Sequence, residues 1–282
     1  MPLTSLDFAR IAHLLEPEHL ADKLVVQVGL GSGGAPVSDH LTMNGVRRWD
    51  LFDPDVLEPV NLVKHPRQRK DLGRLKVEIQ REWILDRNPG AEVNAYAVDV
   101  MSADSFPRSV EQSSLILCCA DNKDVRQFVN AIARQYAKPC VTASVFRQGF
   151  GGEVYAYLPG ETGCFACMDR AAGEQGININ DTIGLLPDEE QHMYGLNLQD
   201  YQASGLSLDI QTISQLQARV ALALLTADAA RPVTAPQANW LIYYNRPLAG
   251  VSASGFNKLV GLRIRSRKGC SCAERAIPAY AR

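Results

Sequence analysis

No run of apolar residues in this 282-residue chain reaches the roughly 18 positions that a membrane span requires. The best stretch, Ala218 to Leu225, is short and contains Arg219, so a membrane helix is excluded. Basic excess is missing too: 29 Lys and Arg face 31 Asp and Glu, for a formal charge of −2. Binders of the phosphate backbone usually carry a basic surplus or stripe, so nucleic acid is not expected as a partner. The N-terminal MPLTSLDFARIAHLLEPEHL lacks a basic region followed by an apolar stretch, which argues against a secretory leader and for a cytoplasmic protein. A hydrophobic content of 46% leaves no room for general disorder. Cysteines number seven, an odd count, and none lies between Cys167 and Cys270. A disulfide framework does not fit that count in a cytosolic chain. The pairs Cys164-x-x-Cys167 and Cys270-x-Cys272 suggest a metal instead.

The length suits one large α/β domain or two small ones. LVVQVGLGSGG, Leu24 to Gly34, is a short β-branched run that stops at glycines, as a strand buried on both faces would. A helix is expected from Gly33 to Asn44, then a second strand in VRRWDLFDPD ending in acid. A second helix is expected with Leu75, Ile79, Trp83 and Ile84 on one face, stopped by Asn88-Pro89. AEVNAYAVDV, SSLILCCAD and KPCVTASV supply three further strands, with a helix from Asp124 to Tyr136 between the last two. This alternation is that of a Rossmann-like, mostly parallel sheet with helices on both faces. After Phe150 the pattern changes. GGEVYAYLP, ANWLIYYNR and KLVGLRIRS read as less buried antiparallel strands, and a helix with Ile210, Ile213, Leu216, Val220 and Leu224 on one side runs from Leu208 to Ala227. The polar stretch from Ala171 to Ser204 is long for a connection, which marks a functional or mobile loop.

Gly29-x-Gly31-x-x-Gly34 is a turn whose backbone N–H groups and following helix terminus suit phosphate. Asp53, 19 residues beyond Gly34, falls where such folds place a carboxylate on ribose. NAD or FAD would be the default ligand. The residues that follow argue otherwise: Asp53-Pro-Asp55, then Asn61 and Lys64, then Gly73-x-x-Lys76, then Asp121-Asn122 with Arg126 and Asn130. Lysines that neutralise a triphosphate and an acid that holds Mg²⁺ serve nucleotidyl transfer, where pyrophosphate leaves the α-phosphorus.

In this order the motifs resemble the ubiquitin-activating (E1-like) adenylating superfamily of the ThiF, MoeB and HesA type, from about Leu24 to Cys272. The resemblance implies an α/β adenylation domain spanning 1–282, with a nucleotide-binding half at 1–150. The half at 151–282 would carry the zinc site, the crossover loop and the partner surface. It implies ATP held by Gly29, Gly31, Gly34, Asp53, Asp55 and Asn122, and catalysis by Asp121, Lys76, Lys64 and Asn61, with Mg²⁺ at Asp121. It implies structural Zn²⁺ on Cys164, Cys167, Cys270 and Cys272, and a homodimer. The substrate would be the C-terminal carboxylate of a ubiquitin-like or sulfur-carrier protein, converted to an acyl-adenylate, with a conjugating enzyme as a further partner.

Two departures qualify the expectation. Where the family has Arg-Gln, this chain has Lys64-His65, which keeps a positive charge but loses the bidentate fork. His65 is expected to pack locally. The crossover segment, where many relatives carry an acyl-accepting cysteine, has none. Cys118 and Cys119 read as buried strand residues and Cys140 as core, so the adenylate is expected to pass to an acceptor outside this chain. A weakened adenylation fold acting as a scaffold is the alternative, as is sulfur-carrier activation for thiamine or molybdenum-cofactor synthesis. Arg67, Arg69, Lys70 and Arg74 read either as a solvated face or as a supply of charge for a triphosphate.

Overall fold

Leu24–Val28 is buried at all five positions, as its lack of alternation requires, and forms β1. The computed structural model describes residues 6–146, 151–174, 205–245 and 257–273. In chain order follow α1 (Gly34–Met43), β2 (Arg48–Phe52), α2 (Lys76–Arg87), β3 (Glu92–Tyr96), α3 (Ser105–Gln112), β4 (Leu115–Cys118), α4 (Lys123–Gln135) and β5 (Cys140–Val145). β6 (Gly151–Tyr157), α5 (Phe165–Glu174), α6 (Ser207–Leu225), β7 (Trp240–Tyr244) and β8 (Lys258–Leu262) complete the described elements. The sheet runs β3-β2-β1-β4-β5-β6-β7-β8. Pairing is parallel as far as β5 and antiparallel from there on. This is the expected Rossmann-like sheet with an antiparallel extension.

The period of two along each strand sorts the core into two layers. Val26, Val28, Phe52, Ile116 and Cys118 face α3, α4 and α5, where Phe106, Val129 and Phe165 cover them. Val25, Trp49, Leu51, Leu115 and Leu117 face α1, α2 and α6 and meet Val37, Ile84 and Ala221. Each fully buried aliphatic side chain contributes roughly 1.5–3 kcal/mol of burial free energy.

The strands after Phe150 correct the expectation of weak burial. β6 and β7 are buried at every position. α6 packs across β5 and β6 on one face, while Tyr155, Trp240 and Tyr244 join Phe165 in the other layer. Only β8, the edge strand, is largely exposed, as expected. The apolar side of α6 is therefore core: Ile210, Ile213 and Val220 are buried. Two helices were not expected. α3 carries Pro107 in its first turn, where the missing N–H has no helical partner to lose, and α5 begins at the first cysteine pair. Residues 175–204 of the polar stretch, including His192 and Ser204, lie outside the described residues. No helix among the described residues is long and apolar enough to cross a membrane.

Candidate functional site

β1 ends in a turn in which two glycines, Gly29 and Gly34, are required by space. Gly29 has φ +89°, and a Cβ there would lie 3.0 Å from the Cys119 carbonyl. A Cβ on Gly34 would stand 2.1 Å from the Gly29 carbonyl oxygen, whereas one on Gly31 would meet nothing within 4 Å. The carbonyls of this turn are drawn away by side chains. Gln27 Nε2 donates to Gly29 O at 3.1 Å and Gly34 O at 2.8 Å. Ser214 Oγ donates to Gly33 O at 2.7 Å, and His65 Nε2 lies 2.9 Å from Leu30 O. Of the first N–H groups of α1, that of Ala35 donates to Gly31 O at 3.0 Å and Pro36 has none, so what α1 turns to the open side is chiefly the positive end of its helix dipole. That is a site for an anion, with room at Gly31 for it to approach. Gly34→Ala is expected to displace the turn and lower the denaturation midpoint, at a cost of about 1–3 kcal/mol. Gly31→Ala should change stability by only about 0.5 kcal/mol and weaken anion binding by filling that room. Thermal melts and calorimetry on the two variants check this.

The other expected residues gather at the same end of the parallel strands. Asp53, at the end of β2, is 5% exposed. Its Oδ2 accepts the Leu30 N–H at 2.6 Å and its Oδ1 the Asp55 N–H at 2.9 Å. Burial pushes its carboxyl above the usual range, against the pull of Lys76 and the two N–H donors. Contact with a ribose would share oxygens already engaged by the turn. Asp55 is more open and pairs with Lys76 Nζ at 2.7 Å. Lys76 begins α2, and its own N–H bonds to Asp55 O at 2.9 Å. Asn61 Oδ1 accepts the Glu58 N–H at 3.0 Å, capping the 3-10 turn Pro59–Val63. Its amide N–H groups remain for a ligand. Lys64 ends that turn, and His65 docks the segment on Leu30.

Asp121 is exposed in the loop after β4, where Cys119 abuts Gly29. Arg126, 6% exposed, shapes the loop by donating to Ala120 O at 2.8 Å and Asp121 O at 3.1 Å. Asn122 Oδ1 accepts the Asp124 N–H at 2.7 Å and caps α4. Asn130 Oδ1 accepts the Phe165 N–H at 2.9 Å, tying α4 to α5. Of the basic cluster, Arg67 is committed to the fold. It forks onto Asp39, donates to Gln80 at 2.6 Å and lies 5.0 Å from the centre of the Trp83 ring. Arg74 pairs with Glu82 and Asp71.

Gln27, Ser214 and Gln217 were not singled out from the sequence. Gln217 Nε2 donates to Val141 O at 2.9 Å, and its Oε1 accepts the Cys119 S–H at 3.3 Å. A lone glutamine inside an apolar strand or on the buried side of a helix was the available signal. Cys119 corrects one detail: it follows β4 rather than lying in it and is half-buried. Burial raises the thiols of Cys118, Cys119 and Cys140 above their ordinary values. A cleft of about 290 Å³ between α3 and the strands β2 and β3 lies apart from this site. Within it Arg48 pairs with Glu92, and Asp50 accepts from Asn94.

The four paired cysteines form a second centre. Their sulfurs all lie within 4.8 Å of one another. Neighbouring sulfurs stand 3.7 Å apart for Cys164 and Cys270, 3.6 Å for Cys167 and Cys272, and 3.3 Å for Cys270 and Cys272. A disulfide would need about 2.05 Å, whereas thiolates at about 2.3 Å from one tetrahedral ion stand about 3.8 Å apart. Donor set and spacing fit a metal ion. Gly163 permits the approach of the two segments, since a Cβ there would be 2.6 Å from Arg265 O and 2.8 Å from Cys167 Cβ.

A family model described as the ThiF family matches residues 5–247. Among curated proteins, ubiquitin-like modifier-activating enzyme 5 of Caenorhabditis elegans is 27% identical over 179 residues, covering 60% of this chain and 43% of its own length. The Branchiostoma floridae protein of the same name is 27% identical over 172 residues, covering 57% and 42%. The chain thus spans less than half the length of these relatives. Among solved structures, E. coli MccB with ATP superposes with a TM-score of 0.68 at 18% identity, over 91% of this chain and 68% of that one. Microcin C7 biosynthetic enzyme MccB in complex with N-formylated MccA gives 0.69 at 19% identity, over 91% and 69%. At such identities the likeness is one of fold.

Proposed function

The chain belongs to the ThiF family, and from that premise we propose that it binds ATP at the Gly29–Gly34 turn and adenylates the C-terminal carboxylate of a ubiquitin-like or sulfur-carrier protein. The observation that carries this reading is the turn itself, with carbonyls held back by Gln27, Ser214 and His65 and with Lys76 and Asp121 beside it. A dehydrogenase needs no such lysine and no second acid. The names of the relatives support the substrate class, one a ubiquitin-like modifier-activating enzyme and the other crystallised with ATP.

In the proposed reaction a carboxylate oxygen of the partner attacks the α-phosphorus, the bond to the β-phosphate oxygen breaks, and pyrophosphate carries away the electron pair. The open turn at Gly31 and the positive N-terminal end of α1 hold the phosphates. Lys76, freed from Asp55 by the stronger pull of a triphosphate, neutralises the leaving charge, with Lys64 and the Asn61 amide beside it. Asp121, an exposed acid in the loop after β4, would hold Mg²⁺, which would supply neutralisation of phosphate charge. Asp53 shapes the turn on the ribose side. Asp55 and Asn122 complete the rim. The cysteine cluster would hold a structural Zn²⁺. A cytoplasmic setting, a single adenylation unit and a homodimer complete the reading, and light scattering at micromolar concentration tests the last.

The acyl group passes to a separate acceptor, such as a conjugating-enzyme thiol. The thiols of Cys118, Cys119 and Cys140 are buried or hydrogen-bonded inside the fold, and the other four share the metal centre. ATP–pyrophosphate exchange with a co-purified partner is expected to require partner and Mg²⁺ together; a scaffold would give no exchange. On a non-reducing gel no thiol-sensitive adduct of this chain should appear. A band mapping to one of its cysteines by mass spectrometry would place the acceptor within it.

A further inference from the structure

Leu30, between the first two glycines of the turn, has both polar main-chain atoms held by side chains from elsewhere. Its N–H donates to Asp53 Oδ2 at 2.6 Å, and its carbonyl faces His65 Nε2 at 2.9 Å. A carbonyl only accepts, so Nε2 carries the ring proton. Nδ1 then has the lone pair, and it accepts the Arg67 N–H at 3.2 Å. The imidazole is used as a neutral ring with one donor and one acceptor, both engaged. Leu30 itself is fully buried, so its main chain has no slack to follow a ring that moves.

We infer that His65 is a positioning residue: with Asp53 it clasps the main chain of Leu30, holds the Gly29–Gly34 turn in its receiving conformation, and lets go when its ring is protonated. The inference rests on the reading of this turn as the nucleotide site. Protonation would set an Nδ1–H against the Arg67 N–H, donor against donor. It would also place a positive charge beside Arg67 on its own segment and Lys76 on α2. Asp39 on α1 offers the opposite charge, but it is already forked by Arg67; Asp53 is engaged by the Leu30 and Asp55 N–H groups. Burial above all, then these cations, keeps the ring below its ordinary value, against the pull of the Leu30 carbonyl and Asp39. When the turn opens, His65 regains an ordinary value of about 6.5. The clasp is therefore complete above about pH 6.5 and weakens as pH falls below it, because the open form binds the proton more readily.

The test is hydrogen exchange at the Leu30 amide, corrected for the intrinsic rate, from pH 8 to pH 5.5, beside ATP binding by calorimetry. In the unaltered protein the opening equilibrium should rise by up to about tenfold per pH unit below pH 6.5, the slope of one linked proton. His65→Gln keeps a donor and an acceptor without titrating, so its acid slope should flatten; Asp53, whose carboxyl is raised by burial in the closed turn, would contribute a slope of the opposite sign. His65→Ala should lose protection at every pH. An acid slope in His65→Gln equal to that of the unaltered protein would overturn the clasp. So would a His65 ring that titrates by NMR at about 6.5 in the intact protein, a measurement that needs no variant. If the exchange results hold but ATP fails to bind at any pH, the clasp stands and the nucleotide reading falls.

Discussion

Lys76→Ala and Asp121→Ala will each slow ATP–pyrophosphate exchange by about 10²–10³-fold, the scale on which one positioned charge acts at a transferring phosphoryl group. The two losses have different physical content. Removing Lys76 takes away the cation that faces Asp55 at 2.7 Å and lowers the Asp53 carboxyl. Two acids then face an incoming triphosphate with nothing between them, so ATP binding and the chemical step weaken together. Lys76→Arg keeps the charge and should recover part of both. Asp121→Ala removes an exposed side chain, and the loop around it is held by main-chain oxygens that Arg126 binds. Its fold and melting temperature should stay unchanged while exchange is lost, most visibly at low Mg²⁺. Near-normal exchange in Asp121→Ala at all Mg²⁺ concentrations would move the metal-binding role to another acid.

What the sequence made legible were features that a short stretch of chain settles by itself. Gly29, Gly31 and Gly34 signal a turn because only glycine fits two of these positions, and β1 and β4 signal buried strands because their apolar runs do not alternate. The paired cysteines carry their chemistry in their side chains. What stayed hidden depends on partners far away in the chain. Burial of β6 follows in part from α6 crossing the sheet over β5 and β6, which no periodicity in GGEVYAYLP reveals. Arg67 looked available for a triphosphate until Asp39 and Gln80 were found around it. His65 was expected to pack locally, and it does sit buried, but its partner is the carbonyl of Leu30. α3 was missed because Ser105–Gln112 is short and contains a proline that sequence reading treats as a stop.

Removing the metal from the cysteine cluster should lower the melting temperature by roughly 10 °C. Apparent zinc affinities of small four-ligand sites correspond to about 10–16 kcal/mol, and in a peptide that binding energy is also folding energy. Here only a share of it reports as stability, because other bonds join the same segments. Gly163 N–H donates to Ile264 O at 3.0 Å, Asn239 bridges Ala156 and Ile264, and Arg134 reaches Ser271. A loss of about 3–5 kcal/mol, at roughly 2–4 °C per kcal/mol for a chain of this size, gives the expected shift. Elemental analysis should find one zinc per chain, and Cys272→Ser should lower both zinc content and melting temperature. Because the cluster and the Gly29–Gly34 turn are separate centres, the molecules that remain folded should keep their pyrophosphate exchange. Loss of exchange in parallel with zinc, in protein still folded by circular dichroism, would make the cluster part of the reaction. An unaltered melting temperature and no bound zinc would leave four reduced thiols packed at the start of α5.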